Sequence, residues 1–271
     1  MVRHLYLVPH GSLNYLPFAL LPTGPAGHGT LLIDRYTLAQ LPAAAVLLRD
    51  AFASDGPQSL LAMAPARSRL RHALEEARSI DALFKPHSRL MIGVGATESS
   101  FKKLAGNFRV LHLATHGTFN KLNPLLSGLE LEADGANDGL LQVHEVLGLH
   151  LAADLVTLSA CDTALGSGYF AEVPAGDEFV GMTRAFLAAG STSVMATLWD
   201  VDDKASVQLM QHFYEQLTKA TGGDKAGALA EAQRELRANK VLAHPYYWAP
   251  FILVGTPSRT ASYKEQAVGR S

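Results

Sequence analysis

The chain has 271 residues, 48% of them apolar and 18% charged, with a formal charge of −2 and a single cysteine. That apolar content is ample for a packed core and excludes intrinsic disorder as a starting point, and scattered basic residues offer no electrostatic footprint for nucleic acid or an anionic membrane surface. One thiol closes no internal disulfide and supplies too few ligands for a cysteine-rich zinc site, so a reducing, cytoplasmic setting fits best.

In chain order, the opening segment MVRHLYLVPHGSLNYLPF interrupts its apolar stretch with prolines and a glycine. It therefore does not read as a signal peptide, and Leu5 to Val8 is expected to form a short buried strand. LLIDRYTLAQLP predicts a second strand region and Ala43 to Phe52 has helical spacing. Arg67 to Phe84 is the clearest helix, with Leu70, Leu74, Ala77, Ile80, Ala82, Leu83 and Phe84 toward one side. Leu90 to Val94 is β-rich, and Thr97 to Leu104 opens with a capping threonine followed by Glu98.

From residue 109 the runs RVLHLATHG, DLVTLSACDT and STSVMATLWD are continuously apolar and end in polar or glycine-marked turns. A central parallel strand covered by helices on both sides requires such a run. Helices are expected over Asp177 to Ala189, closed by Gly190, and over Asp203 to Lys219 and Lys225 to Ala238. This alternation predicts an α/β fold with a mostly parallel sheet flanked by helices on both faces. The uncharged run Ala185 to Trp199 is interrupted by Gly190 and hydroxyl residues. It falls short of the roughly 18 to 20 apolar residues of a bilayer span.

Ligands of open α/β sheets sit beyond the carboxyl ends of the strands, so reactive residues just after an apolar run are candidates. His116 follows LHLAT and precedes Gly117, and Cys161 follows LVTLSA and precedes Asp162. On neighbouring strands, the imidazole could take the proton of a thiol nucleophile. Gly117, lacking a Cβ, and the N–H of Cys161 could then meet the oxyanion of an amide or thioester acyl transfer. The plainer alternative is a buried core thiol and a strand-end histidine bonded to backbone; residue types alone leave both open. His112, between Leu111 and Leu113, reads as a core or supporting histidine. His10, His144 and His244 form no i, i+4 pair, and the glycine-rich stretches 24–29 and 93–96 lack the P-loop and dinucleotide patterns. Neither a metal nor another cofactor is expected.

The strings VPHGSLNYLPFALL, LHLATHGTF, LLSGLEL, DGLLQVHEV, LVTLSACDTALG, GDEFVGMTRAFLAAGSTSVMATLWDVDDKAS and YYWAPFILVG resemble the successive blocks of a CHAT domain. This is a bacterial relative of the caspases and separases in the clan of caspase-like cysteine peptidases. The resemblance runs from about residue 2 to 256 and implies a caspase-like sheet flanked by helices. It makes Cys161 the nucleophile and His116 the general base and acid, with Gly117 and Cys161 as the oxyanion hole. Cys161 lies 45 positions after His116, close to the roughly 50 of the caspase order, although the caspase cysteine signature is absent. The implied organisation is a peptidase domain over 1–257, with 1–95 an N-terminal subregion and 96–257 carrying the dyad, and a flexible tail over 258–271. Such domains often follow tetratricopeptide repeats, none of which precede this one, so the chain reads as a stand-alone protease or a C-terminal portion.

The implied activity is that of a cysteine endopeptidase cleaving a partner protein in bacterial defence or regulated cell death. An activating protein partner is expected, and neither nucleic acid nor membrane. LWDVDDKAS resembles the separase segment lining the pocket for the residue before the scissile bond, where acidic groups receive arginine. Asp162, Trp199, Asp200, Asp202 and Asp203 are the substrate-binding candidates, with Asp202 or Asp203 equally readable as the cap of the next helix. The loop Ser167 to Gly176 is expected to order when substrate or a partner arrives. Two other readings stand beside this one: an interaction module that keeps the fold without hydrolysis, and a thiol acyltransferase or esterase using the same dyad.

Overall fold

The three apolar runs after residue 109 become neighbouring strands because helices cover them on both sides. The computed structural model describes residues 4–24, 29–48, 58–68, 70–118, 120, 122–159, 177–220 and 223–258. The elements in chain order are β1 (His4–Leu7), α1 (Leu32–Arg35), β2 (Thr37–Gln40), β3 (Leu60–Ala64), α2 (Ala73–Leu83), β4 (Ser88–Ile92), α3 (Glu98–Leu104) and β5 (Val110–Leu113). They continue with β6 (Gly117–Thr118), β7 (Gly128–Glu130), β8 (Leu140–Gln142), α4 (Val143–Val146), β9 (Leu155–Leu158), α5 (Asp177–Ala188), β10 (Ser193–Thr197), α6 (Asp203–Lys219), α7 (Lys225–Ala238) and β11 (Phe251–Gly255).

The main sheet has eight strands in the order β1-β2-β11-β10-β9-β5-β3-β4. Every described pairing in it is parallel except β10 with β11. Successive side chains of a strand point to opposite faces, and the core divides accordingly. Leu60, Ala62, Val110 and Leu155 pack with α2, α6 and α7 on one face. Leu61, Met63, Leu111, Leu113 and Val156 pack with α3, α4 and α5 on the other. The result is the α/β architecture expected, a mostly parallel sheet between two helical layers.

The predicted spans of α6 and α7 agree with the structure, and α5 ends at Ala188, one residue short. Gly190 closes it at φ +118°, and a Cβ there would collide with the Leu151 carbonyl oxygen. Thr97 caps α3 as expected, its Oγ1 accepting the Ser100 N–H at 3.1 Å.

Other expectations are corrected. The helix expected from Arg67 starts at Ala73, because the preceding residues are tied elsewhere. The Arg67 N–H donates to Glu132 Oε1 (2.6 Å) and its guanidinium to the Asp138 carbonyl (3.0 Å). Its buried face is Ala73, Glu76, Ala77, Ile80 and Asp81, while Leu74 and Leu83 are exposed. The second strand region divides into α1 and β2, and of the helix expected over 43–52 the described part is a 3₁₀ turn, Ala44–Leu48. The β-rich stretch Leu90 to Val94 forms a strand two residues earlier, as β4, and passes into a 3₁₀ turn at Gly93–Gly95.

Two features carry no expectation. β3, with the helix-favouring sequence LLAMA, is a fully buried strand, since tertiary packing overrides propensity. The antiparallel sheet β6-β7-β8 follows β5 directly.

Candidate active site

β5 and β9 pair in parallel with Val110 opposite Leu155 and Leu113 opposite Leu158. Beyond β9 the ladder continues for one bond, from the Ser159 N–H to the Leu113 carbonyl (3.0 Å). His116 is three positions past Leu113 and is partly exposed. Cys161 is three positions past Leu158 in sequence; it lies outside the described residues, as do Asp162, the loop 167–176 and the tail from 259.

The small sheet fixes the backbone just after His116. The Glu130 N–H donates to the His116 carbonyl at 2.9 Å, and the Thr115 hydroxyl donates to the Glu130 carbonyl. Antiparallel ladders alternate hydrogen-bonded and non-hydrogen-bonded pairs, so the next pair, Gly117 with Leu129, directs the Gly117 N–H away from β7. A charged cluster anchors this sheet to α3. Glu98 accepts the Gly139 N–H at 2.9 Å, and the Lys102 ammonium joins Glu98 (2.5 Å) to Glu145 (2.7 Å). The Ser99 hydroxyl and the Ala136 N–H hold the Asp134 carboxyl well below the usual carboxylate range.

A small pocket opens at the carboxyl ends of three adjacent strands, where Ala114, Ser159 and Thr197 follow or end β5, β9 and β10. Its other walls include Leu70, Glu76 and Asp203. The topology places it there. β3 leads through α2 to β4, whereas β5 lies on the other side of β3, so the chains leaving β3 and β5 part at their carboxyl ends. Open sheets bind ligands at such a switch point.

The structure separates the substrate-binding candidates. Asp203 lines the pocket, and its Oδ2 accepts the His72 N–H at 2.8 Å. Asp202 caps α6 through the Ala205 N–H at 2.9 Å. Asp202→Ala is therefore expected to cost about 1 kcal/mol of stability, read from the urea midpoint, while leaving any substrate preference unchanged. Asp200 is exposed. Trp199 packs against both core faces and donates its indole N–H to the Tyr246 carbonyl (3.2 Å).

His112 is a supporting histidine, fully buried, with Nε2 2.9 Å from Glu76 Oε1 and Nδ1 3.3 Å from the Tyr214 hydroxyl. That hydroxyl donates to Thr157 Oγ1 at 2.7 Å, and burial pushes its pKa up, so it stays a neutral donor. Sequence reasoning overlooked Glu76. Its position three residues after Ala73, on the face shared with Ala77 and Ile80, is the signal that could have separated it from the exposed Glu75.

These features define a caspase-like α/β domain with a reactive-residue candidate and a pocket at one sheet edge. The chain belongs to the CHAT domain family, whose model matches residues 1–256. It is 28% identical over 309 aligned positions to tetratricopeptide repeat protein 28 of Mus musculus and 26% over 307 to that of Homo sapiens, in each case over 94% of this chain. The chain spans only 12% of the length of these curated relatives. Among solved structures, separase in the Saccharomyces cerevisiae separase–securin complex superposes with a TM-score of 0.61 at 18% identity, over 94% of this chain and 16% of that one. The Porphyromonas gingivalis RgpB complex of pro- and mature domains gives 0.55 at 12%, over 94% and 64%. At these identities the structural likenesses carry the fold. No helix among the described residues is long and apolar enough to cross a membrane.

Proposed function

We propose that the chain is a cysteine endopeptidase that cleaves a partner protein, with Cys161 as nucleophile and His116 as general base and acid. A defence or regulated cell-death setting is the biological role the family resemblance suggests. The observation that carries the reading is the register of β5 and β9. Leu113 and Leu158 are paired, and each reactive residue stands three positions beyond its strand. Three residues of chain reach about 10 Å at most, and the paired ends of β5 and β9 lie at the same edge of the sheet, which supports bringing the two groups together. The Gly117 N–H, directed away from β7, is available as an oxyanion donor, and the Cys161 N–H is the second. The pocket beside Ser159 would seat a substrate side chain next to the bond being cut.

Alkylation of the one cysteine tests this reading without a known substrate. Iodoacetamide is expected to label Cys161 at least tenfold faster than a free thiol near neutral pH, and His116→Ala to return the rate to that of a free thiol. Equal, slow labelling in both proteins would overturn the dyad.

A further inference from the structure

The apolar strings at the start of the chain take no part in the proposed dyad, and they wall a second cavity. β2 meets β11 at one register position, Gln40 opposite Val254, whereas β10 and β11 are paired along their whole length. Upstream of that contact the two parallel strands part, leaving a wedge. From one side α7 presents Ala226, Leu229, Ala230 and Gln233 to it, the i, i+3, i+4, i+7 positions of a single helix face. From the other come Phe18, Ala19, Ile33 and Tyr36. Small residues keep the space open: Ala19, Ala226, Ala230 and Ala249 are all buried wall positions. Ile33, Ala249, Phe251 and Leu253 in the lining are each no more than 2% exposed. Leu7, Phe18, Tyr36 and Leu38 are partly exposed, so the cavity opens to solvent on their side.

The chemistry of the walls selects the guest. No aspartate, glutamate, lysine or arginine is among the described lining residues, so a charged molecule would lose its hydration and gain no partner. Phe18, Tyr36 and Phe251 offer ring surfaces, which favour an aromatic guest. The polar groups of the lining are the Tyr36 phenol and the Gln40 and Gln233 amides. Gln233 Nε2 is already used, donating to the Trp248 and Phe251 carbonyls at 2.9 Å each. Tyr36 and Gln40 make no side-chain hydrogen bond within the described residues, which leaves them to meet one polar group of a guest. An apolar chamber with a few placed polar groups is the usual form of a small-molecule site.

Phe251 gives the wedge a neighbour. It lies opposite Thr197 in the sheet, and it lines both this cavity and the pocket at the carboxyl ends of β5, β9 and β10. Close packing means that a wall shared by two spaces cannot shift toward one without changing the other. We propose that the wedge is an effector site for a small neutral aromatic molecule carrying one hydroxyl or N–H group, and that Phe251 couples its occupancy to the pocket beside Ser159. The ring fills the space between the alanines, and its polar group bonds Tyr36 or Gln40. The binding stands apart from the proposed peptidase function; the coupling rests on it, because Cys161 reactivity is the readout.

Phenol, indole, benzene and benzoate are titrated into the full chain by calorimetry near neutral pH. Phenol and indole are expected to bind one-to-one, benzene about fivefold more weakly than phenol for want of the hydrogen bond, and benzoate about tenfold or more for its unpaired charge. Ala230→Leu, which fills the wedge, is expected to abolish phenol binding without lowering the melting temperature. A space already closed would be overpacked by that change and the protein would melt lower, which counts against the cavity. Tyr36→Phe combined with Gln40→Leu leaves the space as it is and is expected to bring phenol down to the affinity of benzene, with benzene itself unchanged. Saturating phenol is expected to alter the iodoacetamide labelling rate of Cys161 about fivefold or more in wild type and not in Ala230→Leu. No saturable binding of phenol or indole, or a phenol preference that survives the paired polar substitutions, would overturn the site. Binding with an unchanged labelling rate would overturn the coupling. Failure of the dyad is read separately, from wild type and His116→Ala labelled without phenol.

Discussion

Cys161→Ala is expected to abolish peptide-bond cleavage, and His116→Ala to lower kcat by about 10³-fold or more, with KM changed little. An ordinary thiol with a pKa near 8.5 is only a few per cent thiolate at pH 7, so a base at the carboxyl end of the neighbouring strand has a large effect to exert. Under the proposed mechanism the same imidazole would return the proton to the leaving amine, which would tie both halves of the reaction to one residue. Residues acting as a unit lose nearly everything when one is removed, so the double variant should be scarcely worse than either single one. The measurement is turnover of a basic reporter peptide by wild type, both single variants and the double. Multiplicative losses in the double variant would refute the dyad. Gly117→Pro removes the backbone N–H while keeping both reactive side chains, with His116 restricted to the extended region. A loss of about 10²-fold is expected if that donor meets the oxyanion.

The second large effect lies at the other end of the same strands. Arg109, just before β5, clamps Asp154, just before β9, through Nε at 2.8 Å and Nη2 at 2.7 Å. Both residues are buried. The Asp154 carbonyl also gathers Thr192 Oγ1 (2.7 Å), Ser193 Oγ (2.8 Å) and the buried Lys225 ammonium (2.9 Å). Arg109→Ala takes the guanidinium from a desolvated carboxylate, and breaking such a pair costs about 3–5 kcal/mol. Chemical denaturation should show that loss. Any turnover of the remaining folded protein should be unchanged, since the pair sits at the amino ends of strands whose carboxyl ends lead to the proposed site. A loss below about 1 kcal/mol would show that solvent reaches the carboxylate and replaces its partner.

The two regions were legible in the sequence to different degrees. β5, β9 and β10 could be read because central parallel strands must be apolar on both faces, and that leaves a continuous run with no periodic interruption. The helices α6 and α7 could be read because amphipathic spacing and end signals are local; the Asp202 cap lies within three residues of the N–H it accepts. β3 was not legible. Its Leu, Ala and Met residues favour helix, and only the strands β4 and β5 on either side make LLAMA extended. The start of α2 was hidden for a similar reason, since the residues before it bond to positions far away in sequence, Glu132, Asp138 and Asp203.

The amino-acid sequence by itself determined the layered α/β class, the family, and which histidine and cysteine end their apolar runs, because each of these depends on residue type and on neighbours within one element. Tertiary structure alone decided that Leu113 and Leu158 stand side by side, that Asp203 reaches the pocket while Asp202 caps a helix, and that Glu76 joins them from α2. These are facts of strand pairing and helix docking between segments up to 131 positions apart, as in the bond from His72 to Asp203. No pattern inside one segment encodes the partner it will find, because the free energy that selects the pairing comes from burying both segments together.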